Sequence, residues 1–353
     1  MHMIVCHWSL WLNFASRWRG KALWTRTPSR IVSSKQGATL RTRASLGAGT
    51  LFPLFLSVVL VGSAHAKLSV VCTTPDIASI AFALTGDLAE IATLAKPTED
   101  PHFVDAKPSF ILKLNKADVL LEGGAELESG WLGPLLVSAR NPKLAAGSPG
   151  RVSCAAGIEL LDVPKTLDRS QGDVHSKGNP HYLVDPTNAS RVARTIAGAL
   201  SRVDPMNAAF YETRLELFKT RLESKVAEWE RALAPYEGQQ LVAHHNTWQY
   251  FARRFGLKSE LFLEPKPGIP PTPTHLAGVV AKMKAAHVRV IVVEPYQSRK
   301  TAERVAAQVG AVRVVDVAQY PGGVKGTEMD YVGLMEQLVK LFAQGLSRPG
   351  EPR

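Results

Sequence analysis

The 353-residue chain is poor in cysteine, with only Cys6, Cys72 and Cys154. No C-x-x-C pair occurs, so a thiol-rich metal site has no support. Catalytic signatures are missing as well: there is no G-x-S-x-G, G-x-x-x-x-G-K-[ST], H-E-x-x-H or G-x-G-x-x-G. Their absence removes the nucleophile elbow, the P-loop, the zincin helix and the dinucleotide fingerprint. Acidic residues are absent from positions 1–66, which hold eight Lys and Arg. Beyond that stretch the chain has 34 basic and 31 acidic residues, a net of +3 against +11 for the whole. The basic excess therefore belongs to the N-terminus, and a nucleic-acid partner loses its main support. Long hydrophobic runs are missing too. The uncharged apolar stretch at 50–61 (TLFPLFLSVVLV) is too short to span a bilayer comfortably.

That short run has another meaning. Arg41 and Arg43 precede it and Ala64-His65-Ala66 follows. A basic segment, a short apolar core and an A-x-A site together make a secretory signal. Cleavage is expected after Ala66, which makes 1–66 a leader and places the product in the periplasm. Residues 1–40 carry four of the seven tryptophans without a clear period, which suggests a start site further downstream. Cys72 and Cys154 remain after cleavage. Export permits a disulfide, but two free or buried thiols are the favoured reading.

Apolar residues make up 45% of the chain, enough for a sizeable core. The run KLSVVCT (67–73) reads as a strand, and Thr74-Pro75-Asp76 opens a helix that ends at Gly86. A helix from Pro108 to Lys116 and a strand at 118–122 follow. This strand–helix–strand order predicts a parallel α/β sheet. The polar stretch 163–180 reads as an exposed loop. Asp185 caps a helix to about Val203, and one long helix runs from about Met206 to Leu233. At 1.5 Å per residue it spans about 40 Å. The α/β pattern then restarts, with strands at 240–243, 288–293 and 312–317 and helices at 247–255, 298–309 and 331–346. The predicted fold is α/β: two Rossmann-like lobes with parallel sheets, joined by one long α-helix. The expected divisions are an N-terminal lobe at 67–205, a linking helix at 206–235, a C-terminal lobe at 236–346 and a tail at 347–353.

With catalytic motifs gone, histidines at strand-to-helix loops stand out. His102 sits in EDPHFVDAKPS, His181 in NPHYLVDPTN, and His244 and His245 in VAHHNTWQYF. Loops at the carboxyl ends of strands are where α/β lobes bind ligands. A lone loop histidine is ordinarily solvated or hydrogen-bonded. Three in corresponding contexts from two halves point instead to a shared divalent ion, for which neutral imidazole is a common ligand. Pro101 and Pro180 restrict the backbone beside two of them. His175, His275 and His287 read as surface residues, and Trp248 and Tyr250 as packing residues.

Several segments as a set carry a resemblance: DPHFVDAKPS (100–109), ADVLLEGGAELESGWL (117–132), NPHYLVDP (179–186), HNTWQYFARRFGL (245–257), LEPKPGIPPTPTHL (263–276) and EPYQS (294–298). They resemble the zinc/manganese-type periplasmic solute-binding proteins of metal ABC transporters, the cation-specific group with a rigid inter-lobe helix. The resemblance covers about 68–346. It implies two α/β lobes with the metal between them, ligands at His102, His181 and His245, and His244 as a neighbour. It also implies Zn²⁺ as the transported ligand ahead of Mn²⁺, because manganese-preferring relatives tend to carry Glu at the third position.

Relatives often supply a fourth ligand as an Asp after the last strand. Gln319 or Tyr320 falls there in this chain, leaving water, Glu264, Glu294 or Asp330 as alternatives. Glu264 and Glu294 read equally well as capping or ion-pairing residues. The expected partners are the divalent metal and an ABC permease in the inner membrane, with the protein acting as a monomer and without catalytic residues. A manganese or iron receptor and a periplasmic metal chaperone are the alternatives of the same fold. A zinc hydrolase, with metal-activated water, is a more distant one. Imidazole ligation implies that affinity falls as pH drops through about 6.5.

Overall fold

The computed structural model describes residues 67–166, 172, 174–327 and 330–347. The expected leader at 1–66 and the end of the expected tail lie outside the described residues. Among the described residues two four-stranded sheets are present, and every strand pairing is parallel. The first holds β1 (Leu68–Cys72), β2 (Ala89–Thr93), β3 (Val119–Glu122) and β4 (Arg151–Ser153) in the order β2-β1-β3-β4. The second holds β5 (Gln240–Ala243), β6 (Lys258–Phe262), β7 (Val290–Val293) and β8 (Arg313–Asp316) in the order β6-β5-β7-β8. The two halves thus repeat one topology although no sequence repeat is visible. The apolar runs VLLE and VIVV became β3 and β7, each flanked by a strand on both sides. Helices on both faces of such strands leave no position for a polar alternation.

Helices connect the strands: α1 (Pro75–Thr85), α2 (Pro108–Lys116), α3 (Leu132–Ala139), α4 (Pro186–Val203), α5 (Ala208–Leu233), α6 (Gln249–Arg254), α7 (Pro273–Ala285), α8 (Arg299–Val309) and α9 (Tyr331–Leu346). Their starts follow local chemistry. Pro75, Pro108, Pro186 and Pro273 occupy first-turn positions, where the missing N–H would have no helical partner. Asp185, Thr272, Ser298 and Asp330 accept a backbone N–H of the first turn from their side chains.

The long helix appears as α5, with 26 residues between short 3₁₀ turns at Pro205–Asn207 and Ala234–Tyr236. Its buried residues Tyr211, Leu215, Phe218, Leu222, Trp229 and Leu233 recur at helical spacing along one stripe. It packs on α1 and α4 from the first half and on α9 from the end of the chain. The Trp229 indole donates to Glu336 Oε2 on α9 at 2.9 Å. A single buried apolar cluster includes Val70 and Val119 of the first sheet, Leu222 and Trp229 of α5, and Leu241, Val292 and Phe342 of the second half. Cys72 and Cys154 are both free and fully buried in that cluster, as favoured from the sequence. No helix among the described residues is long and apolar enough to cross a membrane.

Four elements were not read from the sequence: the strands β4 and β6 and the helices α3 and α7. The strand–helix–strand order around them holds, so the α/β class does not depend on them.

Candidate metal centre

Parallel strands bring their carboxyl ends, and the loops that leave them, to one edge of each sheet. His102 lies in the loop after β2, His245 in the loop after β5, and His181 in the irregular segment between β4 and α4. Each is held by its own neighbours. The backbone N–H of His102 donates to Asp100 Oδ1 at 3.0 Å, and the Trp131 indole donates to Pro101 O at 2.9 Å. The backbone N–H of His181 donates to Asn179 Oδ1 at 2.9 Å. Gly178 approaches this turn with φ +110°, and a Cβ there would lie 2.6 Å from Leu161 O, so the position requires glycine. The next residue, Tyr182, donates its hydroxyl to Gly123 O at 2.6 Å and ties the turn to the end of β3. Gly123 in turn belongs to a buried network in which Thr73, Gly123 and Gly124 all donate to the Glu128 carboxylate. Burial pushes the Glu128 carboxyl up to about 7.

The three imidazoles converge. Their ring centroids are 5.1, 5.4 and 5.2 Å apart, and one ligand nitrogen of each lies within 4.8 Å of the others. His102 Nε2 and His181 Nε2 are separated by 3.2 Å. Two nitrogens on one tetrahedral zinc at 2.0–2.1 Å would be about 3.3 Å apart. The spacing therefore matches a shared ion between the two rings. His102, His181 and His245 form the only such cluster found among the described residues.

The far nitrogens of two of these rings are engaged by the second half. Glu264, in the loop after β6, places Oε1 2.5 Å from His245 Nδ1 and accepts the Gly268 N–H on Oε2 at 3.3 Å. Gln319, just beyond β8, places Oε1 2.9 Å from His181 Nδ1. Each acceptor directs the proton to Nδ1 and the lone pair to Nε2, which faces the cluster. Burial, and then the neighbouring imidazoles, hold the pKa of His102 and His181 well below the ordinary histidine value. Burial alone would lower His245 too, but the hydrogen bond and charge of Glu264 outweigh it, and its pKa is raised.

The carboxylates weighed as a fourth ligand have other partners. Glu264 holds His245. Glu294, after β7, is buried and accepts the Trp248 indole N–H at 3.0 Å, and burial pushes its carboxyl up to about 7. Asp330 caps α9 through Gly333 N at 2.8 Å and pairs with Arg221 of α5.

A cavity of about 230 Å³ opens beside the cluster, lined by His102, His245, Asp100, Phe103, His175, His244, Ile269 and Gln297 among others. His175, expected as a solvated loop residue, is only half exposed. Its ring stacks on His102 at 4.9 Å with an interplanar angle of 25°. Glu126 fastens its loop by accepting both the N–H and the hydroxyl of Ser176. His244 faces this cavity beside His245, and its buried Nδ1 has no hydrogen-bond partner among the described residues. His275, also expected at the surface, is half-buried and has Nε2 3.0 Å from Phe262 O. Trp248 and Tyr250 are fully buried, and the Tyr250 hydroxyl bridges the halves, donating to Asn179 O at 2.7 Å.

Residues 70–345 match the family model described as the periplasmic component A of the zinc-uptake complex. Over 315 residues the chain is 24% identical to the manganese ABC transporter substrate-binding lipoprotein PsaA of Streptococcus mitis, covering 85% of this chain and 99% of that protein. Over 292 residues it is 28% identical to the iron-binding protein YfeA of Yersinia pestis, covering 80% and 87%. Among solved structures, a crystal structure of ZnuA superposes with a TM-score of 0.68 at 25% identity, covering 80% of this chain and all of that one. The manganese-bound periplasmic metal-binding protein of Candidatus Liberibacter asiaticus shares the fold with a TM-score of 0.66.

Proposed function

The chain belongs to the family of metal ABC transporter substrate-binding proteins that includes the zinc-uptake component, and on that premise we propose that it captures Zn²⁺ at His102, His181 and His245 and delivers it to an ABC permease. The observation that carries this reading is the convergence of three imidazoles from both halves, with no carboxylate among the described residues joining the ligand cluster. Nitrogen donors suit zinc, whereas manganese favours carboxylate, carbonyl and water oxygens. Three histidines leave one tetrahedral position open toward the cavity.

A second reading has its own support. Relatives are named for manganese and iron, so a manganese or iron receptor of the same fold remains the alternative. Hydrolysis has less in its favour. Glu264 is committed to His245, and the relatives are binding proteins rather than enzymes. Export is consistent with the N-terminal apolar run and with lipoprotein relatives, and the compartment we assign is the periplasm. The protein acts there as a monomer between its cargo and the permease, with 67–205 and 236–346 as the two lobes.

Competitive titration with zinc and manganese tests the assignment. One tight zinc site, lost in each of His102→Ala, His181→Ala and His245→Ala, is the expected result. Preference for manganese, or unchanged zinc affinity in the three variants, would refute it.

A further inference from the structure

Gln319 stands where the family resemblance implies an acidic ligand, yet its side chain is turned to a different task. Its Oε1 lies 2.9 Å from His181 Nδ1, and its Nε2 donates to the Tyr296 hydroxyl. Gln319 is 7% exposed and His181 is 5% exposed, so water does not compete freely for either group. The two residues are 138 positions apart and come from opposite halves of the chain. We propose that Gln319 is a positioning residue that fixes the tautomer and ring orientation of His181 across the cleft, so that Nε2 is presented to the ion before the ion arrives.

In the structure the Gln319 amide nitrogen donates to the Tyr296 oxygen and Oε1 faces His181. An amide oxygen only accepts, so Nδ1 of a neutral His181 must carry the proton. The lone pair is then at Nε2, 3.2 Å from His102 Nε2 in the ligand cluster. With the amide reversed, Gln319 would donate to Nδ1 and the proton would move to Nε2, closing that nitrogen to metal. Tyr296 follows β7 and Gln319 follows β8, on adjacent paired strands, so the support is anchored in one sheet. Unlike the Glu264–His245 pair, which lies within the second half, the Gln319–His181 bond joins the halves. It makes the ligand geometry depend on how the halves are seated.

This inference rests on the reading that His181 is a ligand, and the test separates the two. Imidazole ¹⁵N–¹H correlation spectra of the metal-free protein report the His181 tautomer without any ion. The wild type is expected to show the Nδ1–H form, and Gln319→Leu a shift toward the Nε2–H form. Zinc affinity should fall about 10- to 100-fold in Gln319→Leu, the range for loss of an outer ligand support. Gln319→Glu, which keeps the acceptor, should restore most of it. Tyr296→Phe, a milder change that leaves the amide free to rotate, should give a smaller loss of the same sign. An unchanged tautomer and affinity in Gln319→Leu, or a Gln319→Glu variant as weak as Gln319→Leu, would overturn the inference. If His181→Ala leaves zinc affinity unchanged, the ligand assignment fails instead, while the spectra still report whether Gln319 sets the tautomer.

Discussion

Glu264 Oε1 and His245 Nδ1 lie 2.5 Å apart, and this contact reverses the effect that burial alone would have on the His245 imidazole. His102 and His181 lack such a carboxylate and remain easy to deprotonate. Protons therefore compete with metal mainly at His245. Since the ion needs the neutral ring and the His245 pKa is raised, affinity should begin to fall at a pH above the ordinary histidine value of about 6.5. In Glu264→Gln burial is opposed only by the charges of Glu294 and Asp100, so the pKa drops and the fall moves to more acid pH. Titrations between pH 5.5 and 8 should show the variant weaker than wild type at the alkaline end but less pH-dependent. Parallel curves would contradict this role for Glu264.

His175 touches the cluster by stacking on His102. Aromatic pairs of this kind contribute about 0.5–1.5 kcal/mol, so His175→Ala should weaken zinc binding only about two- to tenfold. Stopped-flow release into a chelator is expected to show the change mainly as faster dissociation. A loss as large as that of His102→Ala would make His175 a ligand in its own right.

Asp185 joins the halves by a different bond. It caps α4 through the Thr187 N–H at 2.9 Å and pairs with Arg254 of α6 at 2.9 Å while almost fully buried. Asp185→Ala removes the cap and leaves the guanidinium without this partner. Urea unfolding should show a loss of about 2–4 kcal/mol, combining the usual cap value with a charge-assisted hydrogen bond.

Phe342 of α9 lies against Phe251 at 4.4 Å between ring centroids and is fully buried. Phe342→Ala should cost about 3–5 kcal/mol, the range for truncating a buried aromatic residue. A thermal midpoint close to wild type would mean that the neighbouring side chains collapse into the space.

Burial pushes the thiols of Cys72 and Cys154 far up, leaving almost no thiolate to react. Alkylation of the folded protein at pH 8 followed by peptide mapping should find both unmodified, and both modified after denaturation. Labelling of either thiol in the folded state would show that the first sheet opens readily.

Much of this molecule was legible from residues alone, and the reasons are physical. The buried run at β7 and the Asp185 cap of α4 announce themselves locally. The loop histidines were legible because each follows or precedes an element with a clear boundary. His245 could be preferred to His244 only through the segment that follows it, NTWQYF. The misses have a common cause. The strand β4 has three residues, and β6 alternates exposed and buried positions at a sheet edge, so neither carries a strong apolar run. Gln319 was noticed only as a missing acid. Its bond to His181, like the bond of Glu264 to His245, depends on a pairing that no local pattern encodes. His175 sits in a polar stretch that reads as solvent, and only the folded chain shows it against His102.

The helix α5 has a further implication. Because it is clamped to α1, α4 and α9 by a core shared between both sheets, prising the halves wide apart would expose Trp229, Leu233 and Phe342 to water. Such exposure makes wide opening costly, so a receptor built this way is expected to keep nearly the same outline whether empty or full. A transporter that must tell the two states apart therefore has to sense the small loops around the ion, where the cargo itself alters shape and charge, rather than the silhouette of the whole.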